Sequence, residues 1–177
     1  MGLKNELSRK IQRDIDIQIV QSKKSEPKSS IKEALYKQKR AKQEGQPFKE
    51  VWMVFDDDNR DLQSTFTELK KEKINIAFTS ISIEFWFILH FEQTGKHFLN
   101  PEAAVHKLLQ LKSDYKKTNP YLWQEFKPNY ADAIINAKRL RKQLDNCDMY
   151  NAHRCKPFSN IDVLIERIKN YEYNYHQ

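Results

Sequence analysis

Three aspartates in succession, Asp56, Asp57 and Asp58, close the apolar run Val51-Trp-Met-Val-Phe55. An extended chain points successive side chains to opposite faces, so Asp56 and Asp58 share a side and Asp57 turns away. Two carboxylates on one side make a platform for Mg²⁺, which takes one or two carboxylates and completes its shell with water and phosphate oxygens. Three adjacent negative charges also repel one another, and a divalent cation relieves that repulsion. A structural reading accounts for the same letters. An Asp-Asn turn after a strand caps the helix that follows, and residues 62–73 carry a helical pattern. The aspartates locate a site without fixing its chemistry.

A second segment with chemical content is Ser82-Ile-Glu-Phe-Trp-Phe-Ile-Leu-His-Phe91, apolar nearly all round and interrupted only by Glu84 and His90. Ser80 or Ser82 as N-cap, with Glu84 in the first turn, points to a short buried helix. A carboxylate in so dry a segment needs a cation, a helix end or a metal as partner. His90 reads more readily as a hydrogen-bonded core histidine than as a catalytic one. Cys147, His153 and Cys155 are close enough to suggest zinc, yet no fourth ligand stands at a recognisable spacing. With two cysteines, no secretory signal and no transmembrane run, the expectation is a cytoplasmic protein with reduced thiols.

These residues are positioned by an alternating pattern. Residues 3–12 have a helical period, 15–20 alternate as a half-buried strand, and 21–30 read as a loop with Pro27. A basic amphipathic helix over 31–42 ends before Gly45 and Pro47. The acid-tipped strand, whose unbroken apolar run predicts burial on both faces, a helix over 62–73 and a second apolar strand over 74–79 follow. Helix-strand alternation of this kind builds a parallel sheet with right-handed crossovers, and ligands sit outside the carboxyl ends of its strands. From Pro101 onward the pattern is helical only, over 101–111, 130–144 and 161–171. Tyr130, Ile134, Ala137, Leu140 and Leu144 form one stripe, with Lys138, Arg139 and Lys142 on the opposite arc. Residues 115–128 read as a loop in which Lys116, Lys117 and Lys127 interleave with Tyr121, Trp123 and Phe126. That mixture suits phosphate contact with base stacking, although core-facing aromatics with solvated lysines explain it more simply.

The net charge of +7 favours an anionic partner such as nucleic acid. Only three glycines and six prolines argue against a loop-rich all-β fold or low-complexity disorder.

The two unusual segments together resemble the RloB-like family of restriction-linked and abortive-infection proteins. Its signature is an apolar strand ending in Asp-x-Asp, a second strand, and a Ser-rich turn into Phe-Glu-x-Trp-x-x-x-His-Phe. Here these read Phe55-Asp56-Asp-Asp58 and Ser80-Ile-Ser-Ile83-Glu84-Phe-Trp86-Phe-Ile-Leu-His90-Phe91, in matching order and spacing. The family is similar to a divergent TOPRIM domain, the fold of primases, topoisomerases and OLD-type nucleases. The resemblance implies an α/β fold, a TOPRIM-like small parallel sheet flanked by helices over residues 1–100, with a helical extension over 101–177 packed on it. It implies Mg²⁺ (or Mn²⁺) held by Asp56 and Asp58, with Glu84 as a third catalytic residue, and Ser80, Trp86 and His90 as structural support. It also implies a nuclease acting on DNA or RNA in anti-phage defence beside a co-encoded ATPase, with room for a homo-oligomer and no membrane partner. Lys116, Lys117, Lys138, Arg139 and Lys142 are the candidate nucleic-acid contacts. The family's first strand and its Gly-Glu-x-x-Glu-like run are expected before the opening helix, where Met1-Gly-Leu-Lys shows neither. Either the sequence starts inside a longer protein, or the sheet lacks one strand and one carboxylate; a non-catalytic nucleic-acid- or partner-binding module stands as the competing function. A topoisomerase-like activity ranks below both for want of a nucleophilic tyrosine motif.

Overall fold

The computed structural model describes residues 27–57 and 61–174, with side chains through Tyr171. The expected helix over 3–12 and strand over 15–20 lie outside the described residues, as does Asp58. Helix α1 (Pro27–Gln43) leads to strand β1 (Trp52–Asp56), helix α2 (Gln63–Lys71), strand β2 (Asn75–Thr79) and the short helix α3 (Ile83–Ile88). Helices α4 (Pro101–Leu111), α5 (Leu122–Phe126), α6 (Tyr130–Lys142) and α7 (Ile161–Asn174) follow. The protein is thus α/β, with a small parallel sheet of two strands among the described residues and several helices.

Three local expectations are corrected. Helix α1 begins at Pro27 rather than after Ser30, because proline's fixed φ suits a first helical turn where its missing N–H costs nothing. The stretch 115–128 is not all loop, since α5 forms within it and Phe126 is wholly buried. Strand β1 is not buried on both faces, because Val54 at its centre is 57% exposed.

Strands β1 and β2 pair in parallel from Trp52↔Asn75 to Asp56↔Thr79. The pleat divides their side chains between two cores. Met53, Phe55, Ile76 and Phe78 join Phe66, Leu69 and Phe158 on one face; Trp52 and Ala77 join α3, α4, α6 and α7 on the other. On the first face, the Phe78 ring centroid lies 5.4 Å from Phe55 and 5.3 Å from Phe66 in tilted and edge geometries, the arrangements that aromatic quadrupoles favour.

The outer edge of β2 is closed by residues 158–160. Ser80 N donates to Phe158 O (2.9 Å) and Asn160 N to Phe78 O (3.1 Å). The Asn160 side chain accepts from Phe78 N (2.6 Å) and donates to Ile76 O (2.9 Å). One amide side chain thereby does for β2 what a peptide of a third strand would do. Arg141 secures this clasp, since its guanidinium donates to both oxygens of Asp162 (2.7 Å each) and to the Ser159 carbonyl (2.5 Å).

His90 is buried against Trp86, with ring centroids 5.0 Å apart, and Phe126, at 5.2 Å. Its Nδ1–H donates to Trp86 O at 3.1 Å, which fixes the neutral tautomer. Burial pushes the imidazole down from 6.5 to about 4. Between these values the unfolded chain binds a proton that the native chain does not, so stability falls as pH drops through this window and is complete above it. The contribution is about 3 kcal/mol. Urea unfolding of His90→Leu at pH 7 and pH 4.5 should show a loss on acidification smaller than wild type by about that amount; equal losses would exclude the mechanism.

Candidate functional site

Asp56 ends β1 and is half-buried. Its Oδ2 accepts the backbone N–H of Ile83, the first residue of α3, at 3.2 Å. The expected capping role is therefore realised, but on α3 rather than on the next helix, whose Gln63 N–H is taken by Asp61 Oδ1 at 3.1 Å. A carboxylate offers about four lone-pair positions, and this amide occupies one of them. Asp57 goes to the opposite face, where it is 1% exposed and its Oδ2 lies 2.6 Å from Lys156 Nζ. Asp56 and Asp57 thus reach different partners on opposite faces, as the strand pleat requires.

Glu84 lies in the first turn of α3 and is wholly buried. Tyr115 Oη donates to Glu84 Oε1 at 2.9 Å, and Lys117 Nζ stands 3.4 Å from the same oxygen. Burial alone would raise the Glu84 carboxyl. It is outweighed by the Ser82 hydroxyl, the amide of Glu84 itself, the Tyr115 hydroxyl and the Lys117 charge, and the group is held below the usual carboxylate range. The Ser82 hydroxyl favours the ionised form by proximity although it makes no well-aligned hydrogen bond. Tyr115 responds in the opposite sense. Burial, then its bond to the anion, pushes the phenol above its ordinary value of 10.

The second carboxylate oxygen, Glu84 Oε2, is buried with no hydrogen-bond partner among the described residues. An ionised oxygen so placed fits a cation's hydration shell better than a closed structural ion pair. Asp56 and Glu84, at the carboxyl end of β1 and the start of α3, are the described groups that would hold such an ion. No group of three His, Cys, Asp or Glu arranged to hold a metal occurs among the described residues.

The remaining candidates disperse. Lys116 and Lys117 are exposed, Lys117 beside Glu84, whereas Lys138 is bonded to Glu166 (2.8 Å) and Arg139 to Gln93 (3.2 Å) on α6, where Lys142 is also exposed. Ser80 bonds the 158–160 clasp, its Oγ accepting from Phe158 N at 2.7 Å, while Trp86 and His90 lie in the core. Cys147 and Cys155 are joined in a disulfide, with Cα atoms 6.3 Å apart, instead of standing as reduced thiols or zinc ligands. The chain between them doubles back through a short 3₁₀ turn at Ala152–Arg154, bringing the two sulfurs together. The His153 ring packs on Phe66 at 4.4 Å. A shallow cleft beside these cysteines includes Lys156 but neither Asp56 nor Glu84, so it does not coincide with the acidic site. Composition and local pattern did not single out Tyr115, Arg141 or Asn160; their roles depend on contacts between distant parts of the chain.

A parallel strand pair with acids at its carboxyl end places the protein in the α/β class, in which ligands generally bind outside the strand tips. The chain belongs to the RloB-like family: the family model described as RloB-like protein matches residues 2–168. No curated protein and no solved structure matches it. No helix among the described residues is long and apolar enough to cross a membrane.

Proposed function

We propose that this RloB-like protein is a Mg²⁺-dependent, TOPRIM-type phosphodiester hydrolase that cuts DNA or RNA in anti-phage defence, with an ATPase partner by family analogy. The observation that carries the reading is the placement of Asp56 at the tip of β1, beside a Glu84 that is buried, ionised and open at one oxygen. When bound, Mg²⁺ would polarise the scissile phosphate and acidify the attacking water. Asp56, with Asp58, supplies the carboxylates that bind the ion. Tyr115 and Lys117 help hold Glu84 as an anion through Oε1, and its buried second oxygen would orient a water of the ion. Lys117, whose side chain is 68% exposed, is placed to meet a backbone phosphate as well as Glu84.

The test is cleavage of long DNA and RNA substrates by the purified protein, with Mg²⁺ or with excess EDTA. Cleavage with the metal and none with the chelator is expected; cleavage undiminished by EDTA would refute the reading. A second reading, a binding module without catalysis, is favoured by the Lys117 and Tyr115 contacts that already engage Glu84. It predicts no cleavage under either condition, with binding that weakens steeply as salt rises.

A further inference from the structure

Beside Asp56 lies a row of side chains that the acidic motif does not include. Asp56 pairs in register with Thr79, and Thr79 forms an antiparallel bridge with Ser159. Residues directly paired across strands project to the same face, so Asp56, Thr79 and Ser159 share one side of the sheet's carboxyl end. The hydrogen bonds flanking the bridge run from Ser80 N to Phe158 O and from Asn160 N to Phe78 O. Thr79 and Ser159 are therefore a non-hydrogen-bonded pair, the type in which side chains approach most closely. Both residues are wholly buried, yet Thr79 Oγ1 and Ser159 Oγ have no hydrogen-bond partner among the described residues. Burying a hydroxyl unpaired costs roughly 1–3 kcal/mol. Two such hydroxyls facing each other, in line with a carboxylate, are a polar site built for a small guest.

We infer that Thr79 and Ser159 form a hydroxyl shelf that binds the water shell of a divalent cation held by Asp56. This rests on the metal reading above and adds residues to it that lie outside the acidic motif. Ligand preference sets the role. Mg²⁺ takes one or two carboxylates directly and keeps several of its waters, and the neutral hydroxyls of Thr79 and Ser159, one and two strands from Asp56, are partners for those waters and not for the ion. Each hydroxyl can donate and accept, so the pair suits a water needing two to four polar partners. Arg141, by gripping the Ser159 carbonyl and Asp162, fixes where the second hydroxyl stands.

The experiment titrates the full-length protein with Mn²⁺ alone, reading free ion by electron paramagnetic resonance and bound-ion hydration by water-proton relaxation. Three variants are compared with wild type: the double variant Thr79→Val with Ser159→Ala, the single variant Thr79→Ser, and Asp56→Asn as reference. The double variant should lose about 10–100-fold in Mn²⁺ affinity, the size of effect seen when outer-shell partners of a metal are removed. Its bound-ion relaxation should change, and Thr79→Ser, which keeps the hydroxyl, should stay near wild type. Because neither lost hydroxyl has a protein partner, the double variant should melt no lower than wild type, which separates the effect from unfolding. Wild-type affinity and relaxation in the double variant, with affinity lost in Asp56→Asn, would overturn the shelf and leave the Asp56 site standing. Wild-type affinity in Asp56→Asn, or no binding in any form, would overturn the metal reading and the shelf together.

Discussion

Asp56→Asn should abolish Mg²⁺-dependent cleavage while leaving the fold intact. The substitution keeps an oxygen that can accept the Ile83 amide now 3.2 Å from Oδ2, so the start of α3 retains its cap. It removes the charge that would bind the cation. Metal stabilisation of a phosphoryl transition state is worth several kcal/mol, and each ~1.36 kcal/mol is tenfold in rate. A loss of about 10³-fold is the expected scale. Asp57→Asn is the contrasting variant. Asp57 faces away from Asp56 toward Lys156, so its replacement should lower stability by roughly 1–3 kcal/mol and leave turnover of the folded fraction unchanged. Single-turnover cleavage with thermal melts on both variants separates the two aspartates. Equal activity in Asp56→Asn and wild type would remove Asp56 from the chemistry. Asp58→Ala should behave as Asp56→Asn does, on the alternation of side chains along an extended chain.

Arg141→Met should be the most damaging change to the fold outside the apolar cores. Asp162 is wholly buried, and Arg141 bonds both its oxygens. Breaking a buried ion pair from one side leaves an uncompensated charge, at a cost of about 3–5 kcal/mol. For a chain of this size that corresponds to a melting temperature lower by roughly 6–20 °C. The double variant Arg141→Met with Asp162→Leu should recover most of the loss, since a packed apolar pair often equals a buried ion pair in stability. Melting curves of the two single variants and the double give the coupling directly. Additive losses would show that the pair is not the unit that matters.

What could be read in advance follows from the range of the interaction. The apolar run before Asp56 and the segment from Ser82 to Phe91 announce a strand and a short buried helix through local composition alone; the strand forms within a residue of expectation and the helix ends at Ile88, three residues before Phe91. The opposite directions of Asp56 and Asp57 follow from the pleat. The edge clasp at Asn160, the Arg141–Asp162 pair and the Tyr115 contact to Glu84 were not legible. Asn160 meets Phe78 across 82 positions and Tyr115 meets Glu84 across 31, so neither leaves a period in a short window. The exposure of Val54 escaped for a related reason, because burial depends on which elements cover β1 and not on the strand's own letters. The helix α5 is too short to show a period among its lysines and reads as loop, although the simpler reading of core-facing aromatics holds for Phe126.

The amide of Asn160 has a topological consequence. It occupies the Phe78 N–H and the Ile76 carbonyl on the outer edge of β2 with a side chain that cannot propagate a ladder, and that flank is terminated as a capped polymer end is. Of the two described strands, β1 therefore offers the remaining edge to a further β-segment, beside Val54 and on the margin that Asp56 borders. Growth of the sheet and access to the acidic tip are thus tied to a single flank.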